Sequence, residues 1–162
     1  MQRSVIVTDL TRFRDREIVC IAGVDRSNGE CIRPMPYLKT AKCRQLNILP
    51  GAILSGNFTV LSDRQGPHQE DYQYSSLKFE GPCTSSEFKA ALEQGLFNSV
   101  EEGFEIEMDH GQKHVPFGHA VSRSIITICT SPDAVEIIEN PYEPSRIKLN
   151  FTDQSGREFR YV

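Results

Sequence analysis

The 162-residue chain has no tryptophan, and its five cysteines form no Cys-x-x-Cys pair. An odd number of widely spaced cysteines indicates neither a disulfide framework nor a zinc knuckle, so we predict reduced thiols buried as small apolar side chains. Every apolar run is far shorter than the roughly 18 residues of a membrane span, and the start MQRSVIV lacks the long apolar core of a signal peptide. We therefore expect a soluble, cytoplasmic protein that does not enter a membrane.

Several catalytic and phosphate-binding motifs are also missing. The chain contains no Gly-x-Ser-x-Gly elbow, no Gly-x-x-x-x-Gly-Lys loop and no Gly-x-Gly-x-x-Gly turn, so the sequence does not indicate the enzyme and nucleotide-binding classes that these motifs mark. An RNP-like or arginine-rich tract is absent too, which argues against strong nucleic-acid binding and predicts a modest, salt-sensitive affinity. These absences favour a non-enzymatic binding module without a cofactor.

Charge is distributed unevenly along the chain. The net charge is −4, but the first fifty residues carry nine Lys and Arg against five Asp and Glu, whereas the rest carries nine against seventeen. A polyanion would be tolerated best by the basic N-terminal third and repelled by the acidic run EEGFEIEMD. The charge pattern therefore indicates that an anionic partner binds near the N-terminus.

Strand patterns fall into two groups of five on either side of one helix. In TSSEFKAALEQG, Thr84 and Glu87 have the spacing of a capping box, and Gly95 is a natural stop. Short runs of β-branched and aromatic residues between turn residues indicate strands. The predicted strands lie at 4–10, 17–25, 30–34, 52–61 and 74–80, and then at 104–108, 123–130, 134–139, 146–153 and 157–162.

Two glycine-containing turns predict hairpins of the same design. In the first, a three-residue loop at 27–29 sets Val24 opposite Ile32. The second sets Phe151 opposite Phe159 and leaves one face of the strand pair apolar and the other polar. We expect this second sheet to be covered on one side only.

Two sets of five short strands predict a mainly β protein built of two small barrels. Five strands is the size of the oligonucleotide/oligosaccharide-binding (OB) fold. The predicted organisation is an N-terminal OB-like barrel at 1–82, a connecting helix at 83–99 and a C-terminal OB-like barrel at 100–162. A single larger β-sandwich or barrel fits the same strand count, and periodicity does not separate these architectures.

The residues also resemble a known family. The runs VIVTDLTRF, REIVCIAGVD, GECIRPM, LPGAI and GPHQEDY resemble the bacterial dual OB-containing domain, a module of two OB barrels. The resemblance is strongest over residues 4–72 and continues through SGREFRYV at the C-terminus. It implies the dual-barrel fold and, by analogy alone, binding of nucleic acid or a nucleotide.

Cations and aromatic residues interleave in the connections between the early strands. A binder of single-stranded nucleic acid needs this combination, because cations follow the phosphates while flat rings stack on the bases. In OB folds such ligands lie across strands 2 and 3 and the adjacent loops. The predicted partner is single-stranded nucleic acid or a nucleotide, and the predicted ligand-binding residues are Arg12, Arg14, Arg33, Tyr37, Lys39, Arg44, His68 and Asp71.

Two alternative functions stay open from the sequence. His68, Glu70 and Asp71 in GPHQEDY could hold a divalent ion and perform acid–base chemistry, as in a metal-dependent hydrolase or nuclease. A second histidine cluster occurs in DHGQKHVPFGH, but its glycines and proline predict a loop, and no metal ligand set is assigned there. The third function is a protein-interaction domain that uses exposed strand edges to bind a protein partner.

Overall fold

The protein is mainly β and divides into two compact units, Met1–Gly95 and Leu96–Val162. None of the helices among the described residues is long and apolar enough to cross a membrane. The computed structural model describes residues 1–13, 17–62, 68–116, 118–139, 142 and 146–161.

The first unit contains a closed barrel of five strands. In order of hydrogen bonding the strands are β1 (Gln2–Arg12), β5 (Ala52–Val60), β6 (Asp71–Pro82), β3 (Cys31–Met35) and β2 (Ile18–Asp25). Strand β1 pairs again with β2 and closes the ring. The pair β3–β6 is parallel and the others are antiparallel. The five strands predicted in this region are all present, so the prediction of a β-barrel is confirmed here. The unit also contains the two-residue β4 (Leu38–Lys39), α1 (Thr40–Gln45) and α2 (Ser85–Glu93).

Alternate residues of these strands fill the barrel, because successive side chains of a strand point to opposite faces. One cluster lies towards α1, whose Cys43 packs against it. A second cluster contains two large rings, those of Phe58 and Tyr72, which are both fully buried. The first cluster includes Val7, Val19, Ile21, Leu38 and Leu54, and the second Val5 and Ile32.

The first hairpin differs by one residue from the prediction. Val24 lies opposite Cys31 and not opposite Ile32. The Asp25 carboxylate accepts hydrogen bonds from the backbone N–H and the hydroxyl of Ser27, and this side-chain turn takes one more residue into the loop. The sequence prediction was wrong because it counted only the glycine-closed loop and not the turn that the aspartate makes.

Helix α2 belongs to the first unit. Its capping box is confirmed, since the Thr84 side chain and the Glu87 side chain each accept a hydrogen bond from the other's backbone. Its buried Ala91 packs with Ile6 and Val24, which lie on the outer side of the barrel wall. The helix that the sequence assigned to a separate connector at 83–99 therefore covers one face of the barrel.

The second unit is less regular. An antiparallel sheet contains β9 (Val135–Glu139), β10 (Ile147–Thr152) and β11 (Glu158–Tyr161), and a short parallel pair contains β7 (Leu96–Phe97) and β8 (Thr127–Ile128). Neither of these sheets closes into a barrel within the described residues. The strand predicted at 104–108 is wrong, because a short helix capped by Ser99 ends at Phe104, Glu105 turns the chain with a left-handed backbone, and residues 106–108 form neither helix nor strand. This short helix is α3 (Val100–Phe104).

The hairpin β10–β11 forms as predicted. Phe151 lies opposite Phe159, and the two rings stack with centroids 5.1 Å apart. Phe159 is fully buried against Val100 and Met108, which form the core of this unit. An aspartate again makes the turn, since Asp153 accepts two hydrogen bonds from the residue two places on.

Candidate functional site

A buried ion pair lies in the wall of the barrel. Arg33 in β3 and Asp71 in β6 are direct partners in the parallel register, and the Arg33 Nε and Nη2 atoms donate to the two Asp71 carboxylate oxygens at 2.5 and 2.9 Å. The two residues are only 5% and 3% exposed. Their strand neighbours Ile32 and Tyr72 belong to the interior cluster, so the ion pair lies on the outer side of the wall.

Two aromatic rings extend this pair towards the solvent. The Arg33 guanidinium lies over the Tyr37 ring, 5.7 Å from its centroid, and the Tyr37 ring contacts the Phe13 ring at 4.8 Å between centroids and an angle of 49°. Both rings are partly exposed. We call Phe13, Tyr37, Arg33 and Asp71 the aromatic–ion-pair stack.

Strand β2 brings the two rings together. Its first residue, Ile18, accepts a hydrogen bond from the Phe13 N–H on one side and lies opposite Lys39 of β4 on the other. Phe13 just follows β1, and Tyr37 just precedes β4. The rings therefore meet across the start of β2, although they are far apart in the sequence.

The thiols beside the stack are not activated nucleophiles. Burial raises the pKa of Cys20, whose side chain is hydrogen-bonded to Arg33. Burial raises the pKa of Cys31 in β3 to about 12. Because a thiolate and not a thiol is the reactive species, these cysteines act as neutral side chains in the wall.

His68 lies near the same pair. Burial lowers its pKa, and the positive charge of Arg33 acts in the same direction. The imidazole is therefore neutral at neutral pH. A neutral ring can stack or accept a hydrogen bond without adding charge to the site.

This shift of the His68 pKa predicts how stability depends on pH. A histidine whose pKa is lower in the folded state binds fewer protons there than in the unfolded chain, so folding stability falls as pH drops below about 6.5. We expect His68→Gln to reduce this acid-side loss, as measured by urea denaturation at pH 7.5 and pH 5.5. An unchanged difference between the two pH values in the variant would contradict the assignment.

The remaining predicted site residues lie elsewhere on the same unit. Arg12 and Arg44 are exposed and line a cavity of about 230 Å³ together with Leu10, Val19 and Ile48. Lys39 is exposed on β4. The structure thus groups Arg33, Tyr37, His68 and Asp71 around the stack and groups Arg12 with Arg44, while Arg14 lies outside the described residues.

Sequence reasoning did not include Phe13 and Cys20 among the site residues. Phe13 was part of the interleaved cations and rings, but nothing in its local pattern showed a contact with Tyr37. Cys20 lies in the strand predicted at 17–25 and was interpreted as one of the thiols buried as small apolar side chains. Only the pairing of β1 and β4 with β2 brings these side chains to one place.

The geometry does not assemble a metal centre from the residues proposed for one. Both oxygens of the Asp71 carboxylate accept hydrogen bonds from Arg33, and the Glu70 carboxylate accepts one from the Gln69 N–H. In the part of the chain that the structure describes, no three His, Cys, Asp or Glu side chains are grouped so that they could hold a metal ion. The geometry thus gives no support to a hydrolase built on His68.

Comparison with known proteins adds no relative from which a function can be transferred. No family model, curated protein or solved structure matches this chain. Fold and site define a mainly β protein whose first unit is a closed five-stranded barrel with partly exposed rings beside a buried ion pair. The functional argument therefore depends on the chemistry of that surface.

Proposed function

We propose that the first unit is an OB barrel that binds single-stranded nucleic acid or a nucleotide and has no catalytic activity. Ligands of OB folds lie on strands 2 and 3, between the connections that join strands 1–2 and 4–5. In this barrel those strands are β2 and β3, Phe13 begins the first connection, and His68 lies near the end of the second. The position of the aromatic–ion-pair stack on this surface is the observation that carries the proposal.

The stack suits bases better than phosphates. The charge of Arg33 is neutralised by Asp71. Its guanidinium can therefore hold the Tyr37 ring in place without placing a net charge next to the ligand. An exposed ring offers a base about 1–3 kcal/mol of stacking energy, and it does so for any base. We therefore expect weak sequence preference and binding to unpaired strands, whose bases are accessible.

Phosphates would be bound by the exposed cations that neighbour the rings in sequence. Arg12 precedes Phe13, Lys39 follows Tyr37 by two residues, and Arg44 lines the same cavity as Arg12. Three phosphate contacts on a single strand give a slope of log K against log salt of about −2. Affinity should then fall only moderately between low and physiological salt.

Tyr37→Ala tests the stacking role. We expect it to weaken binding of labelled single-stranded DNA or RNA by about 1–3 kcal/mol, which is roughly 5- to 150-fold in Kd, because a base loses its ring partner. Fluorescence anisotropy at low salt measures this loss. Tyr37→Phe is the matched control, since it keeps the ring and should bind like the unaltered protein.

Lys39→Ala tests the phosphate contact. Its affinity should decline at low salt, and its salt slope should be shallower by about 0.7 because one phosphate contact is lost. Lys78→Ala removes a comparable exposed lysine from β6, away from the stack, and should change neither quantity. If the unaltered protein binds neither DNA nor RNA at low salt, the nucleic-acid proposal is wrong.

We further propose that the second unit is also of the OB type, as the family resemblance implies. The main support is that both hairpins turn by the same device: Asp25 and Asp153 each accept hydrogen bonds from the N–H and the hydroxyl of the serine two residues on. An experimental structure tests this proposal. A closed five-stranded barrel in residues 96–162 would support it, and an open three-stranded sheet would contradict it.

A further inference from the structure

A cavity in the second unit contains charged groups that the proposed function does not use. It has a volume of about 800 Å³, within the range of sites that hold small molecules. It lies between the tip of the β10–β11 hairpin and the segment around residues 110–113, which is the start of the histidine-rich stretch DHGQKHVPFGH. Its charged and titratable lining residues are Glu101, His110, Lys113, Arg157, Glu158 and Arg160.

One arginine holds the two sides of the cavity together. Arg157 Nη1 donates to the Asp109 carbonyl at 2.7 Å, and Nη2 donates to the Met108 carbonyl and to the Glu101 carboxylate, both at 2.8 Å. These bonds tie the segment before His110 to the hairpin. The cavity wall is thus held in place before any ligand arrives, which lowers the entropic cost of binding.

The charges on the wall leave a positive excess. Glu101 is occupied by Arg157, and Glu158 pairs with Arg160 at 3.0 Å. Both side chains of the second pair are about two-thirds exposed. Surface ion pairs of this kind contribute little to stability, so Arg160 can leave Glu158 and bind a more highly charged anion at a small cost in free energy. Lys113 and His110 lie on the same wall and are both exposed, so the Lys113 ammonium is accessible to a ligand.

We infer that this cavity binds the phosphate group of a small phosphorylated molecule, with Lys113 and Arg160 as its main contacts. Lysine and arginine are strong phosphate ligands, because their bonds to phosphate oxygens are charge-assisted. A metal ion fits less well, since the Glu101 carboxylate is bound to Arg157 and no three His, Cys, Asp or Glu side chains of the described residues are grouped so that they could hold a metal. This inference uses only residues of the second unit and does not depend on nucleic-acid binding by the first.

Isothermal titration of the full chain tests the inference with three probes: inorganic phosphate, adenosine 5′-monophosphate and adenosine. We expect the first two to bind and adenosine, which lacks phosphate, to bind much more weakly at this site. Lys113→Ala and Arg160→Gln should each weaken phosphate binding roughly tenfold, since each removes one charge-assisted hydrogen bond. Lys148→Ala is the matched control, because Lys148 does not line the cavity.

The outcomes separate this site from the stack on the first unit. Phosphate binding that survives Tyr37→Ala but is weakened by Lys113→Ala supports the inference. Phosphate affinity that is the same in Lys113→Ala and Arg160→Gln as in the unaltered chain would overturn it. So would a Kd for both phosphate and the nucleotide that is weaker than about 1 mM at low salt.

Discussion

Asp71→Ala should lower the free energy of unfolding by about 3–5 kcal/mol, because it leaves the Arg33 guanidinium buried without its partner. Arg33 is 5% exposed, and its guanidinium donates a hydrogen bond to each oxygen of the Asp71 carboxylate. Urea denaturation of the full chain measures the loss. The same variant should also weaken the nucleic-acid binding that we propose, since Arg33 would no longer hold the Tyr37 ring in position.

Two further variants show whether the ion pair itself causes the effect. Lys89→Ala breaks an exposed pair with Glu93 on α2, whose atoms are 3.7 Å apart, and should cost less than about 0.5 kcal/mol. Replacing both partners, as Arg33→Met with Asp71→Leu, should recover most of the stability that Asp71→Ala loses, because no buried charge remains. Equal losses in the single and double variants would contradict this explanation.

Gly23→Ala should destabilise the barrel by about 1–3 kcal/mol or more. A Cβ atom at Gly23 would lie 2.5 Å from the Ile6 carbonyl oxygen and 2.6 Å from Val5 Cγ1. The oxygen belongs to the backbone of β1, which pairs with β2 on one side and with β5 on the other. The new methyl group can therefore be accommodated only if β1 moves, and that movement would loosen the closure of the barrel.

Gly95→Ala is the control for this prediction. Nothing lies within 4 Å of a Cβ atom built at Gly95, which follows α2. The substitution should be neutral or stabilise by up to about 1 kcal/mol, because alanine restricts the unfolded chain more than glycine does. Thermal unfolding of both variants distinguishes a steric effect at Gly23 from a general effect of removing glycine. A similar loss in both would contradict the steric argument.

Local patterns predicted the first unit well because its elements carry strong signals. Short runs of β-branched and aromatic residues predicted the strands, and Thr84 with Glu87 predicted the start of α2. The second hairpin was predicted in its correct register. The second unit was predicted poorly: the apolar residues at 104–108 indicated a strand, whereas α3 ends at Phe104, and Ile106 and Met108 pack into the core without forming a strand. A short apolar run does not distinguish a strand from a segment that packs beside a helix.

The sequence also identified most members of the candidate site without identifying their roles. The interleaved cations and aromatic residues predicted Arg33 and Tyr37 as site residues, and the segment GPHQEDY predicted His68 and Asp71. The sequence predicted Asp71 as a ligand-binding residue, and the structure adds that its carboxylate neutralises Arg33. An ion pair between two strands that are distant in the sequence cannot be predicted from the local pattern of either strand.

By itself, the sequence determined which residues form the early strands, where α2 is capped and where cations and rings are concentrated, because each of these depends on neighbours within a few positions. Only the tertiary structure decided that Phe13 meets Tyr37 and that Arg33 is buried against Asp71. Those contacts join residues that are 24 and 38 positions apart, and they form because closure of the barrel places β2 between β1 and β4 and sets β3 beside β6.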